Sequence, residues 1–153
     1  MDHEAYHTLL KYIDENPIAI LGTSNPDGSP HGAVVYMCAD DHQHELYFLT
    51  KTKTQKYENI LVHPAVSVTI VNPTENSSLQ ASGRATVVQT PDVIERVMKK
   101  ITYAHASASE WLPPLAKLRA GAYVVVGIQP TKVRLAHFKG RSIGDQRIFT
   151  QLL

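Results

Sequence analysis

The strongest constraint on the fold is a succession of short β-rich runs, each closed by turn or breaker residues: 18–23, 30–39, 45–50, 65–71, 78–88, 123–128 and 132–138. The first three are joined by brief polar segments. In Asn25-Pro26-Asp27-Gly28 the proline presets φ and the glycine suits the fourth position of a turn. This predicts an antiparallel meander over 18–50. Gly83 interrupts the fifth run and predicts a β-bulge, and Gln129-Pro130 predicts the turn between a last strand pair. Six or seven strands in meanders predict a closed or split antiparallel barrel, because closure leaves no sheet edge exposed.

Helices fill the remaining segments. Tyr6, Leu9, Leu10 and Ile13 fall on one helical face over 2–15, which Asn16-Pro17 ends. Thr54 reads as the N-cap of a short helix that stops near His63-Pro64. Thr90-Pro91-Asp92 opens a third helix over 91–105, with Val93, Ile94, Val97, Met98 and Ile101 as its apolar face. Residues 105–119 are irregular and broken by Pro113-Pro114, and the tail after Gly140 has no pattern. The chain is expected to be a single mainly-β (α+β) domain, 1–153.

Composition narrows the function classes. A formal net charge of +1 gives no footprint for nucleic acid. The single cysteine, Cys38, cannot form an internal disulfide, which points to a reducing compartment. The N-terminus lacks the basic start and apolar run of a signal peptide, and no apolar run reaches the ~20 residues needed to span a bilayer. The expectation is a cytoplasmic protein without membrane or nucleic-acid partners.

The segment 47–61 carries the clearest chemistry. A strand ends at Leu49-Thr50, and Lys51, Thr52, Lys53, Thr54, Gln55 and Lys56 follow before a helix begins. Helix N-termini present unpaired N–H groups and partial positive charge, which suit a phosphate. The same residues also suit a solvated basic loop with Thr54 as a plain cap.

Residues 45–71, ELYFLTKTKTQKYENILVHPAVSVTIV, resemble the flavin-binding signature of the pyridoxamine 5′-phosphate oxidase superfamily of split barrels, with Thr50, Thr54, Lys56, Asn59 and Pro64 at matching positions. Gly28-Ser29-Pro30 matches the family's entry to the flavin-facing strand; Ser82-Gly83-Arg84-Ala85 and Pro130-Thr131-Lys132-Val133-Arg134 match later barrel strands. The resemblance implies an FMN-binding oxidoreductase that works as a homodimer. It implies that Leu49, Thr50, Lys51, Thr54, Gln55 and Lys56 hold the phosphate end, that Ala33, Val34, Val35 and Tyr36 run along the isoalloxazine ring, and that Ser78 stands where the oxidase has a flavin-contacting Gln. Ala33 and Cys38 replace an Arg and a Lys of the oxidase, so the resemblance is to a short divergent relative rather than the oxidase itself. Such relatives bind FMN, a deazaflavin or haem. A non-catalytic flavin carrier or sensor, and a barrel without a cofactor, stay open as alternatives; the substrate and catalytic residues are not legible.

Other residues invite weaker readings. His3 and His7 are spaced four apart and His42 and His44 two apart, without a carboxylate or cysteine cluster to complete a metal site. His137 and His63 are candidates for a haem iron. Cys38 reads as a packed small residue, Tyr36 as a ring-edge or core tyrosine, and Trp111 as a cofactor, partner or core contact.

Overall fold

A computed structural model describes residues 3–40, 44–106, 121–145 and 148–153, apart from the side chains of 104–106. The elements run α1 (His3–Glu15), β1 (Ile18–Ser24), β2 (Pro30–Asp40), β3 (Glu45–Lys51), α2 (Gln55–Val62), β4 (Ala65–Asn72), β5 (Ser77–Val87), α3 (Pro91–Ala106), β6 (Tyr123–His137) and β7 (Phe149–Gln151). The strands pair in the order β3-β2-β1-β4-β5-β6-β7, and β3 also pairs with β6. Six antiparallel strands thus close a barrel, and β7 adds to β6 on the outside. Closure gives the backbone groups of both would-be edge strands a partner.

Three helices finish the barrel. α1 sends Tyr6, Leu9, Leu10, Tyr12 and Ile13 into one core with the inward residues Leu21, Val35, Met37, Leu46, Phe48, Ile70 and Leu79. It is tied to the end of β2 through the Tyr6 hydroxyl, which donates to the Asp40 carbonyl, and to the start of β5 by a 3.0 Å bond between Tyr12 Oη and Ser77 Oγ. α3 covers β2, β3 and β6 from outside, burying Val93, Val97 and Ile101 against Cys38, Tyr47 and Val125. The thiol of Cys38 is pushed up to about 12, chiefly by burial, so it packs as a small hydrophobe.

The expected strand pair around Gln129-Pro130 is instead the single strand β6. Pro130 has no N–H to give the ladder. The strand continues because the register shifts there: Gly83 faces Pro130 while Ser82 faces Lys132, leaving Thr131 as an extra residue. Thr131 Oγ1 donates to the Ser82 carbonyl at 3.2 Å. The insertion flips the alternation, so Val126 and Ile128 before it and Val133 and Leu135 after it all face the core. Gly83 is fixed by this contact, since a Cβ there would lie 2.4 Å from the Gln129 carbonyl oxygen.

One further expectation is corrected. The tail after Gly140 contains β7, which pairs with Arg134, Leu135 and Ala136 of β6. β4 alternates, with Val66, Val68 and Ile70 pointing inward and Ser67 and Thr69 pointing out. The first half of β6 is apolar on both faces, because Val126 meets the barrel core and Val125 meets α3. Among the described residues, no helix is long and apolar enough to cross a membrane.

Candidate functional site

The barrel opens where β2 and β3 part. Met37 and Phe48 are the last paired residues of these strands on that side. β3 pairs with β6 along its other edge from Leu46 onward, and beyond Phe48 it keeps only that pairing, with Leu49 opposite Val125, Thr50 opposite Val124 and Lys51 opposite Tyr123. Residues 30–35 of β2 pair with β1 on one edge, and no described strand pairs with the other edge. The backbone strip marked in the sequence for a ring therefore begins on a split seam, with Thr50 on the strand across it.

The chain then turns tightly into α2. The Thr52 N–H donates to the Ala122 carbonyl at 3.0 Å, and the Ala122 N–H donates back to Thr52 Oγ1 at 3.2 Å. Gly121 has φ +91, and a Cβ there would meet Thr52 Oγ1 at 2.3 Å, so only glycine brings this backbone against the loop.

Thr54 stands at the expected N-cap position with extended backbone angles, but its side chain makes no capping bond. Its hydroxyl donates to the Lys51 carbonyl at 2.8 Å. In the 2.9 Å contact between Thr50 Oγ1 and Thr54 Oγ1, Thr50 is therefore the donor. Both hydroxyl protons are committed within the chain, and Thr50 is fully buried. The N–H groups of Tyr57 and Glu58 reach the Thr54 carbonyl at 3.0 and 3.1 Å. Those of Gln55 and Lys56 have no intrahelical acceptor and, among the described residues, no capping side chain.

Lys56 sits in this first turn, only 9 % exposed. Among the described residues no carboxylate lies in ion-pair range of it and no acceptor bonds its ammonium. Burial holds its pKa below the ordinary lysine range. A cation taken from water without a partner is costly, and a bound anion removes that cost.

Asn59, whose role the sequence left open, locks the helix in place. Its Nδ2 donates to Thr23 Oγ1 and to Asn25 Oδ1, both at 3.0 Å, while its Oδ1 accepts from Gln55 Nε2 at 2.9 Å. The Gln55 side chain is thus engaged within the chain on one side. An asparagine inside a helix carries no signal of such a bridge, because its partners lie 34 and 36 residues away.

The structure gathers Thr50, Lys51, Thr54, Gln55 and Lys56 at one barrel end. Lys51 is buried with its ammonium 4.6 Å from the Tyr123 ring centroid, and Lys53 is exposed. On β2, Val34 points outward and Ala33 is half-buried, whereas Val35 faces the core and Tyr36 is buried. Leu49 packs beside the α3 cluster. Ser78 lies on β5 opposite Val71 and Ala136, near the α1 end, and does not join the α2 cluster within one chain. His137 and His63 are exposed; the rings of His44 and Tyr6, and of His3 and His7, meet at a tilt. Trp111, Pro113, Pro114 and His42 lie outside the described residues.

A family profile described as pyridoxamine 5′-phosphate oxidase matches residues 4–137. No curated protein matches the chain. Similar solved structures include a heme binding protein from Mycobacterium smegmatis, with a TM-score of 0.69 and 14% identity over 99% of this chain and 58% of that one. The general stress protein 26 from Bacillus anthracis str. Sterne aligns with a TM-score of 0.60 and 20% identity over 86% and 91% of the two chains. An F420 reductase aligns at 0.61 and 24% identity over 80% and 94%. At these identities the likeness is one of fold. By the profile that spans it from α1 to the end of β6, the chain belongs to the pyridoxamine 5′-phosphate oxidase family.

Proposed function

We propose that this protein is an FMN-binding oxidoreductase that acts as a homodimer, with the FMN phosphate on the first turn of α2. The observation that carries the reading is Lys56: a lysine 9 % exposed which, among the described residues, has no carboxylate partner and stands beside two helix N–H groups that no side chain caps. That combination fits a phosphate dianion. The split seam supports the rest, since the β2 edge from residue 33 offers backbone donors and acceptors to the heteroatoms of a flat ring. When bound, the flavin supplies the hydride or electron transfer, and the protein supplies anchorage and orientation. Thr50 and Thr54 act by holding the loop shape; their protons already serve Thr54 and the Lys51 carbonyl. The absorption spectrum of freshly purified protein tests the reading. An oxidised-flavin spectrum is expected, and a deazaflavin or haem spectrum overturns the FMN assignment.

The dimer reading rests on the outer barrel face. Ile20 and Val34, paired across β1 and β2, are 54% and 52% exposed, and Ile18 on the same face is 47% exposed. Adjacent outward aliphatics of this kind suit a partner surface. The wild type is expected to sediment as a dimer at micromolar concentration. Ile20→Asp should weaken the dimer by roughly two orders of magnitude or more, because it places a carboxylate in a dry interface. Its circular dichroism should be unchanged, since the side chain points away from the core. A monomeric wild type, or an Ile20→Asp protein as dimeric as the wild type, contradicts this arrangement.

A further inference from the structure

The outer face carries a second cluster of cations, none of whose residues belongs to α2. Two rows of outward side chains cross β4, β5 and β6: Thr69, Gln80 and Arg134 in one, and Ser67, Ser82 and Lys132 in the other. Together they line a concavity of about 180 Å³. That is the space of about six water molecules, too small for a whole cofactor and enough for a single phosphate or carboxylate group.

The donor set is one-sided. Three hydroxyls, one amide and two cations line the concavity, and among the described residues no carboxylate does. Among the described residues no acidic side chain forms an ion pair with Lys132 or Arg134. Arg134 is held by neutral partners: its Nη2 donates to Gln80 Oε1 at 2.9 Å, and its guanidinium lies 5.4 Å from the Phe149 ring centroid. An arginine positioned by an amide and a ring keeps its full charge and most of its five N–H donors for a ligand. Lys132 and Arg134 also stand two residues apart on one strand face, where like charges repel unless an anion lies between them.

We infer that this groove is an oxyanion site that takes the phosphate or carboxylate group of a small molecule, with Arg134 and Lys132 as its cations and Ser67, Thr69 and Ser82 as hydroxyl donors. The inference does not depend on which cofactor the α2 site holds.

The test is a titration of inorganic phosphate, and separately of acetate, into the full chain, followed by backbone amide shifts of residues 67–69, 80–82 and 132–134. Saturable shifts are expected there. The double variant Lys132→Gln with Arg134→Gln should weaken them at least tenfold, because two charge-assisted contacts are lost. Lys56→Gln should leave them unchanged, which separates this site from the one at α2. Phosphate binding at least tenfold tighter than acetate marks a phosphate site; equal binding marks a site for either oxyanion. No saturable shift at these amides, full affinity in the double variant, or loss on Lys56→Gln overturns the inference. So does a double variant that merely dissociates the dimer while the wild type shows no response to either anion, since the cations then belong to an interface.

Discussion

Replacing Lys56 with alanine is expected to lower FMN affinity by about one to two orders of magnitude while leaving the barrel folded. The lost contact is charge-assisted and partly desolvated, which corresponds to roughly 1.5–3 kcal/mol. The unliganded protein should lose little. Lys56 belongs to neither apolar cluster, its ammonium satisfies no buried acceptor among the described residues, and alanine suits a helix. Lys53→Ala should have a smaller effect, because Lys53 is exposed and its charge is screened by solvent. Fluorescence-quenching titrations of FMN into the three proteins measure this, with urea unfolding as the control. An FMN affinity that survives Lys56→Ala unchanged would place the phosphate elsewhere.

Phe48→Ala is expected to cost about 3–5 kcal/mol, the range for deleting a buried aromatic ring. Phe48 is fully buried and sits where β2 parts from β3, opposite Met37 on β2 and Val126 on β6. The ring thus packs in the core below the seam that closes the barrel. Total stabilities of small domains are about 5–15 kcal/mol, so the variant should lose a large share of its stability. The expected observation is a much lower urea midpoint at unchanged slope, measured at fixed protein concentration because association also stabilises. A loss below about 1 kcal/mol would mean that this position is not packed as described.

Much of the architecture was readable because its signals are local. The 3.6-residue spacing of Tyr6, Leu9, Leu10 and Ile13 gave α1, and Pro91 at the first helical position gave the start of α3. The turn at Asn25 formed as expected, with the Gly28 N–H donating to the Asn25 carbonyl at 2.8 Å. Gly83 lay at a register shift as expected. What failed depended on distant partners. Pro130 carries a turn signal locally, yet the pairing of β5 with both halves of β6 draws one strand straight through it. Thr54 has the residue type of a cap, but its oxygen is engaged by Thr50 and Lys51 instead. β7 was invisible because three exposed residues form a strand only through β6. At the candidate site, the loop residues were legible as a run of Thr and Lys. The burial of Lys56 was not, and neither was the bridge made by Asn59, which depends on where the end of β1 lies in space.

The most direct test of the α2 site combines the ligand's phosphate with the lysine proposed to meet it. FMN and riboflavin are titrated into the wild type and into Lys56→Ala under identical salt and pH. The expected result is that the wild type prefers FMN by at least about tenfold, that the variant loses most of this preference, and that riboflavin binds both proteins almost equally. If riboflavin weakens as much as FMN on Lys56→Ala, or if the wild type does not distinguish the two, the phosphate does not lie on the first turn of α2.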